Sequence, residues 1–418
     1  MNQIPTHWTW KKLGDIADFI GGVSYTPDDI ATEGVRILRG GNIQNGVIIQ
    51  KADDVFLPMS YSNNENQVRK YDTVIVSSTG SVEALAKAAT CFENMPNTQI
   101  GAFLRIIHPE QEKYAMLVSA WCTSKHFRNY LISQAKGTSI NNIRTDFLTN
   151  FTIPVPQDKD VEEISNLYFS IEKKLLLNRQ INQNLEALAR QLYDYWFVQF
   201  DFPDENGKPY KSSGGTMVWN EKLKREIPDG WTSGVLSDMA NITMGQSPDG
   251  KSYNNEGNGI IFYQGSTDFG ERFPKVRQFT TEPTRFAKKG DILMSVRAPV
   301  GALNIANNDC CVGRGLASIN SKLGSINHLF YVMLSFKEMF DRKSDVGTTF
   351  GSITKDELYG LPVLMPNEGV LKMYEKECGA IFKRQMILGE EIDSLIKQRN
   401  ELLPLLMNGQ VNFDLSAC

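Results

Sequence analysis

The chain has 418 residues, 41% of them apolar, with 44 Lys plus Arg against 48 Asp plus Glu and a net charge of −4. That length suggests two or three domains with sizeable cores and excludes a disordered or fibrous chain. The charge excludes the bulk cationic character of a DNA-packing protein, so any contact with nucleic acid must rest on local geometry.

In chain order, the opening IPTHWTWKKLGDIA (4–17) has no apolar run of the signal-peptide kind, and no stretch reaches the ~18 apolar residues of a membrane span. A soluble, cytoplasmic chain without membrane contact is expected. Short β-rich runs follow at 73–77 and 102–107, then a helical pattern over 114–133 and the segment GTSINNIRTDFLTNFTIPVP (137–156). A long helical pattern fills 157–203. Residues 200–219, rich in Pro, Gly and Ser, read as a linker, placed at 204–226.

The chain then begins again. IPDGWTSGVLSDMA (227–240) repeats the opening without a gap, and GTTFGSITKDELYGLPVLMP (347–366) repeats the close. Between them lie β-rich runs at 260–265 and 291–296 and a helix over 326–342, and a second long helix follows over 367–411. Like ends around unlike middles imply one α+β scaffold used twice with different variable content. Asp15 and Asp238, at matching positions, read as caps or as part of a solvated face rather than as catalytic groups.

In the long helices apolar residues step by three and four. The first seam runs through Ile171, Ile181, Leu185, Leu188 and Leu192, broken at Lys174 and Asn178. The second runs through Ile381, Leu388, Ile392, Leu395 and Leu402, broken at Gln385 and Arg399. A narrow stripe of this length wants a partner of equal length, and pairing of the two helices is expected to be antiparallel. Packing of each helix on its own globular part is the alternative. Asn178 and Arg399 would set the register.

Catalytic signatures are absent from the sequence. It has no P-loop, GxGxxG after a strand, GxSxG, HExxH or Asn-Pro-Pro-aromatic run. The six cysteines lack CxxC spacing and the four histidines form no HxxxH, so no disulfide scaffold and no metal site is expected. Residues 1–156 carry fourteen basic and fourteen acidic side chains, as do residues 227–366. A neutral domain that binds DNA must gather its cations on one face and binds tightly only with help.

Duplicated openings of the form IPxxW followed by LxDxA, duplicated closes, a helix reading NRQINQNLEALARQLYDYWFVQFD (178–201) and a final QRNELLPLLMNGQV (398–411) together resemble the specificity subunit of type I restriction-modification systems. The resemblance covers nearly the whole chain. It implies two target-recognition domains (1–156 and 227–366) separated by two long helices that pair as an antiparallel coiled coil. Each domain would read one half of a bipartite target in double-stranded DNA. It also implies no catalysis by this chain and no cofactor bound by it. Two modification subunits would methylate adenine with S-adenosylmethionine, and restriction subunits would translocate and cleave DNA with ATP and magnesium. Gly379, Gly389 and Pro404 depart from a regular helix and predict an irregular or shortened end to the second one. A stand-alone duplicated DNA-binding regulator and a single-chain nuclease are the other readings.

Direct readout needs polar side chains presented to base edges from strands or loops. The first half offers Arg36, Arg39, Asn42 and Gln44, with Ser78, Thr79 and Ser81 beside Gly80. The second offers Gln264, Ser266 and Arg297. Thr138, Asn141 and Arg144, with Thr348, Thr349 and Ser352, lie in the repeated closes. Because the closes are alike, they are expected to position the DNA backbone rather than specify bases.

Overall fold

Alternating apolar residues make the strands, and the way they pair shows the duplication directly. The computed structural model describes residues 8–44, 46–81, 83–135, 142–345, 351–407 and 410. Two compact units result, residues 1–177 with 394–418 and residues 178–393. In the first, strand Leu104–Pro109 lies between Ala17–Gly21 and Thr73–Val76, and Ala88–Thr90 pairs outside the latter, all antiparallel. In the second, Leu316–Ser321 lies between Ala240–Met244 and Ile292–Ser295, with Leu303–Ile305 outside. Each unit also has a parallel pair of strands. Val35–Leu38 runs with Thr98–Ile100, and Ile260–Tyr263 pairs with Cys310–Val312.

The repeated opening and close meet in each unit. Thr9–Lys12 pairs antiparallel with Thr152–Val155, and Thr232–Val235 with Pro362–Met365. The carboxylate of Asp15 accepts the Lys12 backbone N–H at 3.0 Å, and that of Asp238 accepts the Val235 N–H at 2.9 Å. Both aspartates sit third in the turn that follows the opening strand and satisfy the backbone N–H at its start. The helix expected over 114–133 is two, Ala115–Cys122 and Lys125–Ala135, because Ser124 interrupts it and its hydroxyl accepts the Phe127 N–H at 3.1 Å. Helix Ile326–Asp345 is unbroken.

The first long helix is Asp158–Tyr193, closed by a π turn at Asp194–Val198, and the second is Glu368–Met407. Within the second unit the amide of Asn178 donates to Glu391 at 3.0 Å and that of Gln385 to Glu186 at 2.7 Å. Tyr374 packs on Trp196 and Phe197. Within the first unit Arg399 donates to Glu172 at 3.2 Å, while Ile164 and Tyr168 share a core with Leu406. Rising residue numbers on one helix meet falling numbers on the other, so the pairing is antiparallel in each unit. Every polar break in the seams except Lys174 is matched to a carboxylate on the facing helix. Two expectations are corrected. Leu188 is 50% exposed while Ala189 is 3% exposed, so the seam passes through the alanine. The second helix continues through Pro404 and buries Leu406 and Met407 beyond it.

The expected linker is folded. Met217–Asn220 and Arg225–Pro228 form a hairpin, and Phe202 stacks on both Tyr210 and Trp231 in a core shared with Trp196 and Tyr374. His328 is buried against Phe197, Tyr193 and Tyr374, and burial pushes its imidazole down to about 3. An unfolded chain takes up that proton below about 6.5, whereas the folded unit does not. The stability tied to neutral His328 is therefore present above about 6.5 and lost as the pH falls toward 3. Denaturation midpoints measured across that window should fall less steeply for His328→Phe than for the parent. Equal slopes would show that the ring is hydrated in the folded chain.

Candidate nucleic-acid interface

At one end of each four-stranded sheet, five backbone segments converge. In the first unit the Gly101 N–H donates to Leu38 at 2.9 Å, and Val23 exchanges bonds with Ile100 and Ala102. The N–H groups of Ser77 and Ser78 both donate to Phe103, and that of Ile143 to Ser77 at 2.7 Å. In the second unit Gly313 donates to Tyr263 at 2.8 Å, Gln246 to Val312 at 3.0 Å, Val296 to Gly315 at 2.9 Å and Ile353 to Val296 at 3.0 Å. Four of the bonds in the first unit are made again in the second. They equate Arg39 with Gln264, Ala102 with Arg314, and Ser78 with Arg297.

Glycine makes the crossing possible. A Cβ on Gly22 would lie 2.1 Å from the Gly101 carbonyl oxygen, and one on Gly245 would lie 2.1 Å from that of Gly313. No side chain fits between segments that close. Backbone forms a floor, and the residues flanking it stand outward.

Two sequence candidates serve this floor instead of facing solvent. Arg36, with its side chain 14% exposed, donates to Asp54 at 2.7 Å and to the Ile49 carbonyl at 2.9 Å. Asn42 is 1% exposed; its oxygen accepts the Arg39 N–H at 2.8 Å and its amide donates to Ile49 and Asp54. Burial raises the Asp54 carboxyl, but the Asn42 amide, the Lys51 N–H and Arg36 outweigh it and hold the group below its ordinary value. Both residues therefore shape the turn, and neither offers a polar edge to a base. Asp268 does the work of Asn42 in the second unit, accepting the Gln264 N–H at 2.8 Å.

The remaining candidates reach the surface. Arg39 is half-buried and donates to Asp53 at 2.9 Å, and Gln44 is exposed with its amide on Gly41. Ser78 and Thr79 are half-buried and Ser81 is exposed. Ser78 bridges Asn142, and Arg297 bridges Ser352, so the repeated close abuts the loop after the sheet in both units. Arg144 is exposed and bidentate to Asp146, at 3.0 and 2.9 Å. Gln264, Arg297 and Ser352 are exposed and Ser266 is half-buried. Thr138, Asn141, Thr348 and Thr349 lie outside the described residues. Sequence reasoning missed Phe103, 68% exposed on the first floor, and the exposed Gln246 and Arg314 on the second. The Gly-Arg-Gly run at 313–315, directly after a strand, was the available signal.

A profile described as the type I restriction modification DNA specificity domain matches residues 5–187 and again 228–385. The chain belongs to the type I restriction-modification DNA specificity family. The type I restriction enzyme MjaIX specificity subunit of Methanocaldococcus jannaschii is 22% identical over 99% of this chain and 96% of its own length. The EcoKI specificity subunit of Escherichia coli is 25% identical over 45% of this chain and 42% of its own. The crystal structure of a type I restriction-modification system S subunit from M. genitalium shares the fold, with a TM-score of 0.60, 15% identity and 97% of each chain covered. This type I specificity chain is a non-catalytic subunit, and the regulator reading has no support from its relatives. Among its described residues no helix is long and apolar enough to cross a membrane.

Proposed function

We propose that each unit of this specificity chain reads one half of a bipartite double-stranded DNA target with the loops around its glycine floor, in the cytoplasm and as part of a larger complex. One observation carries the reading: the same backbone crossing is built twice, and different side chains stand on it. Ser78, Ala102 and Phe103 on the first floor are chemically unlike Arg297, Arg314 and Gly315 on the second. Equal scaffolds with unequal surfaces suit two readers of different sequence, since base edges are distinguished by donor and acceptor pattern.

The modification and restriction subunits supply the chemistry. The modification subunits use S-adenosylmethionine to methylate adenine, and the restriction subunits use ATP and magnesium. The chain's own residues orient the DNA. In this reading Arg144 and Ser352, in segments that both units share, hold the phosphate backbone, Arg144 exchanging its Asp146 partner for phosphate.

Replacing residues 20–135 with the equivalent stretch of another family member, and mapping methylated adenines in a host that also makes the modification subunits, tests this. One half of the recognised sequence should change and the other stay fixed. A change in both halves together would sink the two-reader scheme, as would methylation by the chain without its partners.

A further inference from the structure

Residues 227–366 are neutral overall, yet two cations without a protein partner stand at the floor of the second unit. Arg297 and Arg314 are both exposed, and neither guanidinium has a hydrogen bond, ion pair or ring partner among the described residues. Four other arginines of this unit are paired with carboxylates, whereas Arg285 and Arg384 are exposed like Arg297 and Arg314 and have no partner among the described residues. Arg277 pairs with Asp268, Arg272 with Glu186, Arg179 with Glu271 and Arg190 with Glu338. Arg297 and Arg314 are neighbours through the backbone, because the 2.9 Å bond from Val296 N–H to the Gly315 carbonyl joins the residues next to them.

Their backbones are also fixed. Arg314 is held between two crowded glycines. A Cβ on Gly313 would lie 3.1 Å from the Gln264 Cα, and one on Gly315 would lie 2.6 Å from the Gln264 carbonyl oxygen. The Arg314 N–H donates to the Ser247 hydroxyl at 3.3 Å. Arg297 bridges Ser352, and the next residue, Ala298, donates to Gly351 at 3.1 Å. Two rigidly based guanidiniums without a protein partner keep their N–H donors available to a ligand. A fork of parallel N–H donors matches the O6 and N7 acceptors of guanine in the major groove.

We propose that Arg297 and Arg314 read guanine, so that the half-site of the second unit contains guanine at one or two positions. The first unit carries Ser78 and Ala102 at the equivalent places and has no arginine there. This inference rests on the DNA-reading function proposed above and adds the base class that one unit selects.

Methylome mapping with the modification subunits present tests it. The half-site belonging to the second unit is the one left unchanged when residues 20–135 are replaced. In the parent that half should contain guanine. Arg314→Ala should relax one guanine position, lowering discrimination there about tenfold or more. Arg314→Gln should shift that position toward adenine, whose N6 and N7 suit a carboxamide. Arg297→Ala should act at a separate position. A second-unit half without guanine overturns the proposal with no variant needed. A uniform fall in methylation with an unchanged motif in both Arg314 variants also overturns it, because that is the signature of a phosphate contact. A parent complex with no bipartite pattern would instead refute the reading of function on which the proposal stands.

Discussion

Glu186→Ala should destabilise the second unit by about 3 kcal/mol, the lower end of the usual cost of stripping a partner from a buried charge. Glu186 lies on the first long helix, where its oxygens accept the Tyr331 hydroxyl at 3.1 Å and the Gln385 amide at 2.7 Å. Arg272, with its side chain only 9% exposed, sits 3.6 Å from the same carboxylate. It donates to the Gln385 oxygen at 3.2 Å and lies over the Phe382 ring. Burial depresses the Arg272 guanidinium, and the Glu186 charge works against that depression. Without Glu186 the guanidinium keeps its charge and loses its counter-ion, while the Gln385 amide, 1% exposed, loses its acceptor. The carboxylate itself is one-third open to water, which moderates the loss. A urea midpoint for Glu186→Ala equal to that of the parent would show that water replaces the carboxylate. Replacing Glu186 and Arg272 together by methionine should cost less than Glu186→Ala alone, since no buried charge is then left unpaired.

This network connects the seam to the candidate reading surface. Arg272 ends a loop that starts at Gln264, and Asp268 within it accepts the Gln264 and Lys275 N–H groups. The helix pair thus anchors one of the five segments of the second floor. The first unit achieves a similar attachment with other chemistry, through the stacking of Tyr71 on Phe169 of the first long helix at 4.9 Å. Loops that must present bases with a fixed geometry gain from such anchoring, because a wandering loop would lose the discrimination that a bidentate pair supplies.

The scaffold was legible in the sequence where the signal was local and periodic. Asp15 and Asp238 announced equivalent caps, and the seam of the second helix could be read at Leu388, Ile392 and Leu395, all buried. The first helix misled at Leu188 because the larger residue attracts a seam assignment. The facing helices meet instead at Leu175, Asn178 and Ala189, where the stripe has drifted by one residue. Pro, Gly and Ser between 200 and 219 hid Phe202 and Tyr210, whose packing depends on Trp231, a partner outside that window. The reading surface was the least legible part. Arg314 gains meaning only through the pairing of Gly313 and Gly315 with Tyr263 and Gln264, some fifty residues earlier. Arg36 and Asn42 lost theirs to Asp54, which no short spacing revealed.

The two glycines of the second long helix look equivalent in sequence, yet their replacement by alanine should move stability in opposite directions. Alanine is favoured over glycine by about 1 kcal/mol in a helix interior. At Gly379 that preference acts unopposed, since a Cβ would find only the Glu375 carboxylate oxygen at 3.7 Å, an ordinary contact. Gly379→Ala should therefore stabilise the chain by up to about 1 kcal/mol. At Gly389 a Cβ would lie 2.7 Å from Phe273 Cε2, 3.2 Å from its Cζ and 3.3 Å from Arg272 Cδ. The Phe273 ring is 2% exposed and cannot swing into water, and Arg272 is held by Glu186 and Gln385. Overpacking of this kind costs about 1–3 kcal/mol, enough to cancel or exceed the helical gain. Gly389→Ala should then lower the denaturation midpoint while Gly379→Ala raises it. Because the displaced ring ends the loop that carries Asp268, the first substitution should also loosen hydrogen-exchange protection over 264–275, and the second should leave that segment as it is. A stabilising effect at both positions would mean that Gly389 reflects helix chemistry alone and that the loop does not bear on the helix there.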